Sequence, residues 1–169
     1  MHVLKKSFLE NVWLKAAVGF LLLLTDIFTK FLTASFLPLM SGNAYPYKGI
    51  PVFKNFLGIE FSIVHATNKG AAWGFFADFQ TVLIAFRILL IIGLITYLLF
   101  YNKNYALQMP LILVGFGAFG NILDYFLYGH VIDMFHFVFW GYSYPVFNIA
   151  DAAICIGIFW LFLVSFKGD

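Results

Sequence analysis

Four long apolar runs constrain this chain more than any other feature of its sequence. Each run is about 20 residues or longer, the length that an α-helix needs to cross a hydrocarbon core of about 30 Å. Of the 169 residues, 63% are hydrophobic and only 11% are charged, whereas about a quarter of a soluble domain is charged. The sequence therefore predicts an α-helical integral membrane protein that forms a single membrane domain over residues 1–169. Its four predicted transmembrane helices are residues 16–37, 79–100, 106–128 and 147–166.

The basic residues indicate how these spans are oriented. With the N-terminus inside, five lysines lie on the cytoplasmic side and three lie outside. The inner lysines are Lys5, Lys6, Lys15, Lys103 and Lys167, and the outer ones are Lys48, Lys54 and Lys69. Because basic residues favour the cytoplasmic side, we expect a multi-pass protein with both termini in the cytoplasm. A formal net charge of only +2, without a Lys/Arg-rich block, argues against a nucleic acid partner.

Two connections, residues 38–78 and 129–146, are then expected outside the cytoplasm. Residues 59–63 alternate between apolar and polar side chains, which predicts a half-buried β-strand. The stretch Ala71–Phe79 is small and aromatic, and it predicts a short helix along the membrane interface. The second connection is rich in aromatic residues, which favour the headgroup level of a bilayer.

The carboxylates within or beside the spans all fall toward the outer half of the membrane. At 1.5 Å per residue, Asp26 lies about 16 Å below the outer end of the first span. A carboxylate in the membrane costs about 2.5–3.5 kcal/mol, so proteins that keep one usually use it. The convergence in depth predicts one polar site that opens outward. Its carboxylates are Asp26, Asp124, Asp133 and Asp151.

Asp133 and Asp151 are the candidates for direct chemistry. Two carboxylates close together in a poorly hydrated site share a proton, because repulsion and desolvation raise the pKa of one of them. One can then take a proton from water while the other protonates the substrate, so peptide hydrolysis needs neither a metal nor a covalent nucleophile. Packing, or capping of a helix by Asp151, is the structural alternative. Asp26 and Lys30 are spaced i,i+4 and predict an ion pair.

Other chemistries fit the sequence less well, and we expect no metal and no cofactor. His130, Asp133 and His136 could gather a metal only in a helix, where successive steps of three drift around the axis, and the sequence has no H-E-x-x-H. Cys155 lies in an apolar run without a neighbouring histidine, and no G-x-S-x-G is present. From another class of protein, a proton-coupled small-solute carrier also uses buried carboxylates. Four spans without an inverted repeat argue against it.

Five short blocks in chain order resemble those of the lipoprotein signal peptidase family, the type II signal peptidases of bacterial cytoplasmic membranes. The blocks are DIFTK at residues 26–30, NKGAAW at 68–73, GAFGNILD at 117–124, VID at 131–133 and FNIAD at 147–151. Together with the four spans they cover nearly the whole chain. A single block of this kind is a weak signal, whereas the ordered set is specific.

The resemblance implies an intramembrane aspartic endopeptidase in which Asp133 and Asp151 are the catalytic pair. Its substrates are prolipoproteins that carry diacylglycerol on a cysteine, and cleavage falls just before that cysteine. It also implies that the predicted strand belongs to a small extracytoplasmic β-cradle and that Ala71–Phe79 is an interfacial helix. Site-lining roles fall to Asn68, Gly70, Asn121 and Asn148, and supporting roles to Asp26, Lys30 and Asp124.

The resemblance further implies a location in the bacterial inner membrane, with the active site toward the extracytoplasmic face. The expected partners are the prolipoprotein substrates, the lipid bilayer and inhibitors of the globomycin type, and we expect a monomer. One position departs from the family pattern, since Asp124 is followed by Tyr125 where the family usually has an arginine that contacts the peptide backbone. A tyrosine hydroxyl carries no charge and cannot replace a bidentate contact. Arg87 and His130 are candidates to substitute; otherwise the substrate is gripped differently.

Overall fold

The computed structural model describes residues 11–69 and 80–166. In these ranges the chain forms four α-helices and four β-strands. In chain order they are α1 (Val12–Phe36), β1 (Ile50–Phe56), β2 (Ile59–Asn68), α2 (Gln80–Thr96), α3 (Tyr105–Tyr128), β3 (Val131–Phe139), β4 (Tyr142–Ser143) and α4 (Ile149–Ser165). A π-helical turn, Tyr97–Tyr101, continues α2.

Among the described residues, three helical segments are long and apolar enough to cross a membrane: α1, residues 84–101 and α3. The apolar helix α4 is 17 residues long. Helix α1 begins four residues before the predicted span because Asn11 caps it, its Oδ1 accepting hydrogen bonds from the backbone N–H of Trp13 (3.0 Å) and Leu14 (3.2 Å). The spans are thus present as helices, and the count of four crossings stays a prediction.

The four strands form one antiparallel sheet in the order β1-β2-β3-β4. The strand predicted over residues 59–63 is confirmed, and it extends to Asn68. The second connection, for which the sequence indicated only aromatic character, contains β3 and β4. The strand period is visible there in the aromatic residues alone, since Phe135, Phe137 and Phe139 occupy every second position.

The chain divides into two compact units. One unit comprises residues 26–83 and 123–148 and contains the sheet. The other comprises residues 1–25, 84–122 and 149–169 and contains α4 and most of α2 and α3. The single membrane domain over residues 1–169 stays a prediction, and so does the interfacial helix at Ala71–Phe79, which lies outside the described residues.

Within the helical unit, α3 and α4 pack closely through glycine. A Cβ atom on Gly117 of α3 would meet the carbonyl oxygen of Ala150 at 2.6 Å, and one on Gly157 of α4 would meet that of Pro110 at 2.8 Å. Small residues let helix backbones approach in this way inside membranes. The two helices therefore touch backbone to backbone along α4.

Candidate active site

Asp133 is a buried carboxylate in β3, with a side chain only 2% exposed. Its Oδ1 accepts a hydrogen bond from Asn148 Nδ2 at 2.7 Å, and its Oδ2 accepts one from Asn68 Nδ2 at 3.2 Å. The Nδ2 atom of Asn148 also donates to the carbonyl oxygen of Ile132 at 3.2 Å. Each oxygen of Asp133 thus has an amide donor, so the orientation of the carboxylate is fixed.

A bulge in β2 places Asn68 beside Asp133. Up to Ile63, which pairs with Phe135, the partners in β2 and β3 follow a regular register. The register shifts between Ile63 and Ala66, so that Ala66 pairs with Asp133 and Asn68 with Val131. Without this extra residue, Asn68 would point to the opposite face, because side chains alternate along a strand. The bulge in β2 therefore puts the side chain of Asn68 on the same face of the sheet as Asp133.

Asp151 lies in the first turn of α4 and is half-buried. Its Oδ1 accepts a hydrogen bond from Asn121 Nδ2 of α3 at 2.7 Å. One helical turn before Asn121 lies Gly117, where α3 touches the backbone of Ala150. The close glycine contact brings Asn121 within reach of Asp151, and a carboxylate in the first turn is also favoured by the helix macrodipole.

Lys30 forms ion pairs with the other two carboxylates of the predicted site, Asp26 and Asp124. Its Nζ lies 2.7 Å from Asp26 Oδ2 and 2.7 Å from Asp124 Oδ2, and all three side chains are buried. The ion pair predicted from the spacing of Asp26 and Lys30 is confirmed, and Asp124 is a second partner that spacing alone did not reveal. Asp124 Oδ2 also accepts a hydrogen bond from the backbone N–H of Ile132 at 3.2 Å. This cluster therefore anchors the start of β3, next to Asp133.

Aromatic rings share one face of the sheet with Asp133. Phe135, Phe137 and Phe139 follow Asp133 at every second position, and their neighbour Phe61 stacks on Phe137 with 4.3 Å between ring centroids. The sequence indicated aromatic residues at the headgroup level but not their alignment with Asp133. The two-residue spacing of the phenylalanines was the signal that could have shown it.

The remaining predicted residues fall in different places. Gly70 lies outside the described residues, and Tyr125 is half-buried with its ring 5.8 Å from that of Phe126. Burial first, and then the charges of His65 and Lys69, lower the pKa of His130. The lowered pKa favours the neutral imidazole, and the substitution of His130 for an arginine stays a prediction. The roles of Tyr125 and Arg87 stay predictions.

The H-x-x-D-x-x-H segment does not form one cluster. Residues 131–139 are a strand, so Asp133 and His136, an odd number of positions apart, point to opposite faces. Across residues 11–69 and 80–166, no group of three or more His, Cys, Asp or Glu side chains is arranged to hold a metal ion.

Comparison with known proteins agrees with the family resemblance of the sequence. The model of the signal peptidase (SPase) II family matches residues 18–167. A lipoprotein signal peptidase of Chlamydia pneumoniae is 39% identical over 100 residues, which cover 58% of this chain and 60% of that relative. One of Actinobacillus succinogenes is 36% identical, over 96% of this chain and 93% of the relative. A solved bacterial membrane enzyme matches with a TM-score of 0.77 and 26% identity, covering 90% of this chain and 87% of the other.

These similarities give no support to a solute carrier. They extend over the spans, the sheet and the segments that carry Asp133 and Asp151. The chain therefore belongs to the signal peptidase II family and is a peptidase.

Proposed function

We infer that this chain is an intramembrane aspartic endopeptidase that removes signal peptides from diacylglyceryl-modified prolipoproteins, cutting just before the lipidated cysteine. The observation that carries the chemical assignment is the difference between two kinds of carboxylate. Asp26 and Asp124 bind the ammonium group of Lys30, whereas Asp133 and Asp151 accept hydrogen bonds from asparagine amides. Hydrogen bonds from amides orient a carboxylate, and this orientation supports a proton-exchanging role for Asp133 and Asp151.

The proposed mechanism uses Asp133 and Asp151 as a pair that shares one proton. The ionised member takes a proton from water as the water oxygen attacks the scissile carbonyl carbon. The protonated member gives its proton to the carbonyl oxygen, which leaves a tetrahedral diol. The member that took the water proton then passes it to the leaving amine as the C–N bond breaks, and the other carboxylate takes a proton back from the diol as the carbonyl reforms. Asn148, which orients Asp133, lies three residues before Asp151 in the chain, so one short segment serves both carboxylates.

The asparagines have positioning roles in this mechanism. Asn68 and Asn148 hold Asp133, and Asn121 holds Asp151. Gly70 is proposed to line the site on the basis of the N-K-G-A-A-W block. No metal and no cofactor is required, since the pair supplies both the base and the acid.

We place the enzyme in the bacterial inner membrane with four crossings, both termini in the cytoplasm and the site toward the extracytoplasmic face. The apolar helices and the distribution of lysines support this arrangement. Substrate and product both stay in the membrane, which suits a chain whose helices are apolar over most of their length. Inhibition by globomycin-type peptides and a monomeric state complete the proposal.

The test is cleavage of a diacylglyceryl-modified prolipoprotein by purified wild-type protein, Asp133→Asn and Asp151→Asn, in the presence of EDTA. We expect the wild type to cleave, and each variant to lose about 10²–10⁴-fold or more of the rate because a proton-transfer group is gone. Glu60→Gln is the matched control, since it removes a carboxylate of the sheet outside the pair, and it should keep activity. Loss of wild-type cleavage with EDTA would revive a metal mechanism, and equal cleavage by all proteins would contradict the pair.

A further inference from the structure

Two hairpin turns lie side by side at one end of the sheet. Leu57-Gly58 connects β1 to β2, and Trp140-Gly141 connects β3 to β4. The turns are adjacent because Ile59 pairs with Phe139. They are also hydrogen-bonded to each other, since the backbone N–H of Trp140 donates to the carbonyl oxygen of Gly58 at 2.9 Å and its Nε1 donates to that of Leu57 at 3.1 Å.

Both turns contain a large apolar residue in a backbone conformation that such residues disfavour. The φ angles are 53° at Leu57, 81° at Gly58, 48° at Trp140 and 86° at Gly141. Positive φ at both central residues is the signature of the type I′ turn, which favours Asn, Asp or Gly at its first central position. Leucine and tryptophan are therefore kept here against local backbone preference, and such outliers point to a function.

These side chains are strongly exposed. Leu57 and Trp140 are each 77% exposed, Phe56 63% and Tyr142 57%. We call these four residues the hairpin tip. An apolar cluster of this kind on a protein surface is characteristic of a contact with another molecule or with a membrane.

The polar groups of the hairpin tip fit a lipid environment better than water. The indole N–H of Trp140 donates to the carbonyl oxygen of Leu57, and the backbone N–H of Trp140 donates to that of Gly58. Polar groups must be satisfied inside the protein where lipid replaces water. Tryptophan and tyrosine also prefer the membrane interface, and the exposed Lys54 lies three residues before Leu57, where it can meet anionic headgroups.

The short link between α3 and β3 keeps the start of the sheet close to the membrane. Strand β3 begins three residues after α3 ends at Tyr128, and α3 is long and apolar enough to span. The nine residues of β3 extend about 30 Å at about 3.3 Å per residue. A sheet lying along the membrane surface therefore brings the tip to the interface, while one standing upright holds it in water.

We propose that the hairpin tip inserts into the interface of the lipid bilayer and anchors the sheet along the membrane surface. The inserted rings and Leu57 contact the boundary between headgroups and acyl chains, with Lys54 at the headgroups. This anchor fixes the level of β3, and with it Asp133, relative to the membrane. It is independent of which bond the enzyme cleaves.

The test measures the surroundings of residue 57 in the full-length protein in phosphatidylcholine–phosphatidylglycerol nanodiscs. Cys155 is replaced by serine, so that the Leu57→Cys variant carries a nitroxide label at residue 57 alone. The experiment compares how often this label collides with lipid-soluble oxygen and with a water-soluble nickel complex. Lys48→Cys, also exposed and at positive φ, is the matched control. We expect oxygen to dominate at residue 57 and nickel at residue 48. Nickel access at residue 57 equal to that at residue 48, or spin–spin broadening from a second copy, overturns the proposal.

A second pair of variants separates lipid contact from folding. Leu57→Asn installs the Asn-Gly pair that a type I′ turn prefers, so the hairpin stays folded. We expect its unfolding temperature in detergent to equal or exceed that of the wild type, and lipids brominated near the headgroup to quench its tryptophan fluorescence less. Trp140→Phe identifies the part of the quenching that belongs to Trp140. Quenching that neither substitution changes overturns the proposal.

Discussion

Lys30 forms ion pairs with two buried carboxylates. Its Nζ lies 2.7 Å from both Asp26 and Asp124, and each of the three side chains is at most 2% exposed. Buried ions need a partner because desolvation is costly. Removing one member of such a cluster therefore costs more stability than the intact cluster contributes. Because Asp124 also binds the backbone of Ile132, the cluster links a structural ion pair to the strand that carries Asp133.

Lys30→Met should strongly destabilise the protein, by about 3–5 kcal/mol, because it leaves Asp26 and Asp124 buried without their cation. The measurement is chemical unfolding in detergent micelles, followed by circular dichroism. Lys103→Met, at an exposed position between the helices, is the matched control and should change stability by less than about 0.5 kcal/mol. Equal stability of Lys30→Met and wild type would mean that the cluster does not hold this part of the fold.

At the scale of elements, the packing of α3 on α4 depends on Gly117. A Cβ atom there would lie 2.6 Å from the carbonyl oxygen of Ala150 and 2.9 Å from Cγ1 of Ile154, whereas a Cβ atom on Gly115 of the same helix meets nothing within 4 Å. The same Gly→Ala substitution can therefore be made in one helix at a crowded position, Gly117, and at an open one, Gly115.

Gly117→Ala should destabilise the protein by about 1–3 kcal/mol, since the added methyl group forces the backbones apart. Gly115→Ala should be neutral or gain up to about 1 kcal/mol from helix propensity. Thermal unfolding in detergent distinguishes the two. Peptidase activity should fall for Gly117→Ala alone, because the shift also lengthens the hydrogen bond from Asn121 to Asp151. Similar behaviour of the two variants would contradict this account of the helix contact.

The buried His136 gives the sheet a pH dependence. Its Nε2 lies 2.8 Å from Ser143 Oγ, the ring of Tyr47 packs edge-on with 4.5 Å between centroids, and its Nδ1 has no hydrogen-bond partner among the described residues. Burial lowers the pKa of His136, and the charge of Glu60 only partly offsets this. The folded state therefore favours the neutral imidazole.

A lowered folded pKa means that the unfolded chain binds a proton first as the pH falls. The stability contributed by neutral His136 is complete above the unfolded pKa of about 6.5 and is lost as the pH falls from there through the folded pKa. We expect the unfolding temperature of the wild type to drop between pH 7.5 and 5.5, and the drop to be smaller in His136→Gln. Equal drops in both proteins would assign the pH dependence to other groups.

The strands show which parts of an element a sequence reveals. Residues 59–63 of β2 could be predicted because one face is apolar and the other polar. Strand β3 was missed because both of its faces are largely apolar, with phenylalanines on one and Met134 and Val138 on the other, so polarity does not alternate. The register shift before Ala66 also left no pattern that spacing could reveal, since it depends on pairing with β3.

For the whole molecule, depth along the spans predicted one polar site for the carboxylates but did not assign their hydrogen-bond donors. The family blocks pointed to Asn68, Asn121 and Asn148 as a group. Which of them binds Asp133 and which binds Asp151 follows from strand register and from the glycine contact between helices. Strand register and helix contacts depend on two elements together, whereas a sequence pattern describes one element at a time.

The number of membrane crossings is the whole-molecule property that follows most directly from the lengths of the helices. The 17 residues of α4 extend about 26 Å, close to the hydrocarbon thickness of about 30 Å, and Lys167 follows the helix on the side predicted to be cytoplasmic. Green fluorescent protein fused to the C-terminus should therefore fluoresce in bacteria, and alkaline phosphatase fused there should be inactive. Phosphatase inserted after the exposed Gly42, between α1 and β1, should be active.

Both fusion proteins must retain peptidase activity, so that the reporters describe the native arrangement. An active phosphatase at the C-terminus would mean an odd number of crossings, with α4 lying in the interface rather than spanning. Asp151 would then belong to a helix parallel to the membrane surface, and the substrate would have to reach it from the aqueous side. An inactive C-terminal phosphatase together with an active one at Gly42 fits four crossings, which place the first turn of α4 at the outer leaflet, where a signal peptide leaves the membrane.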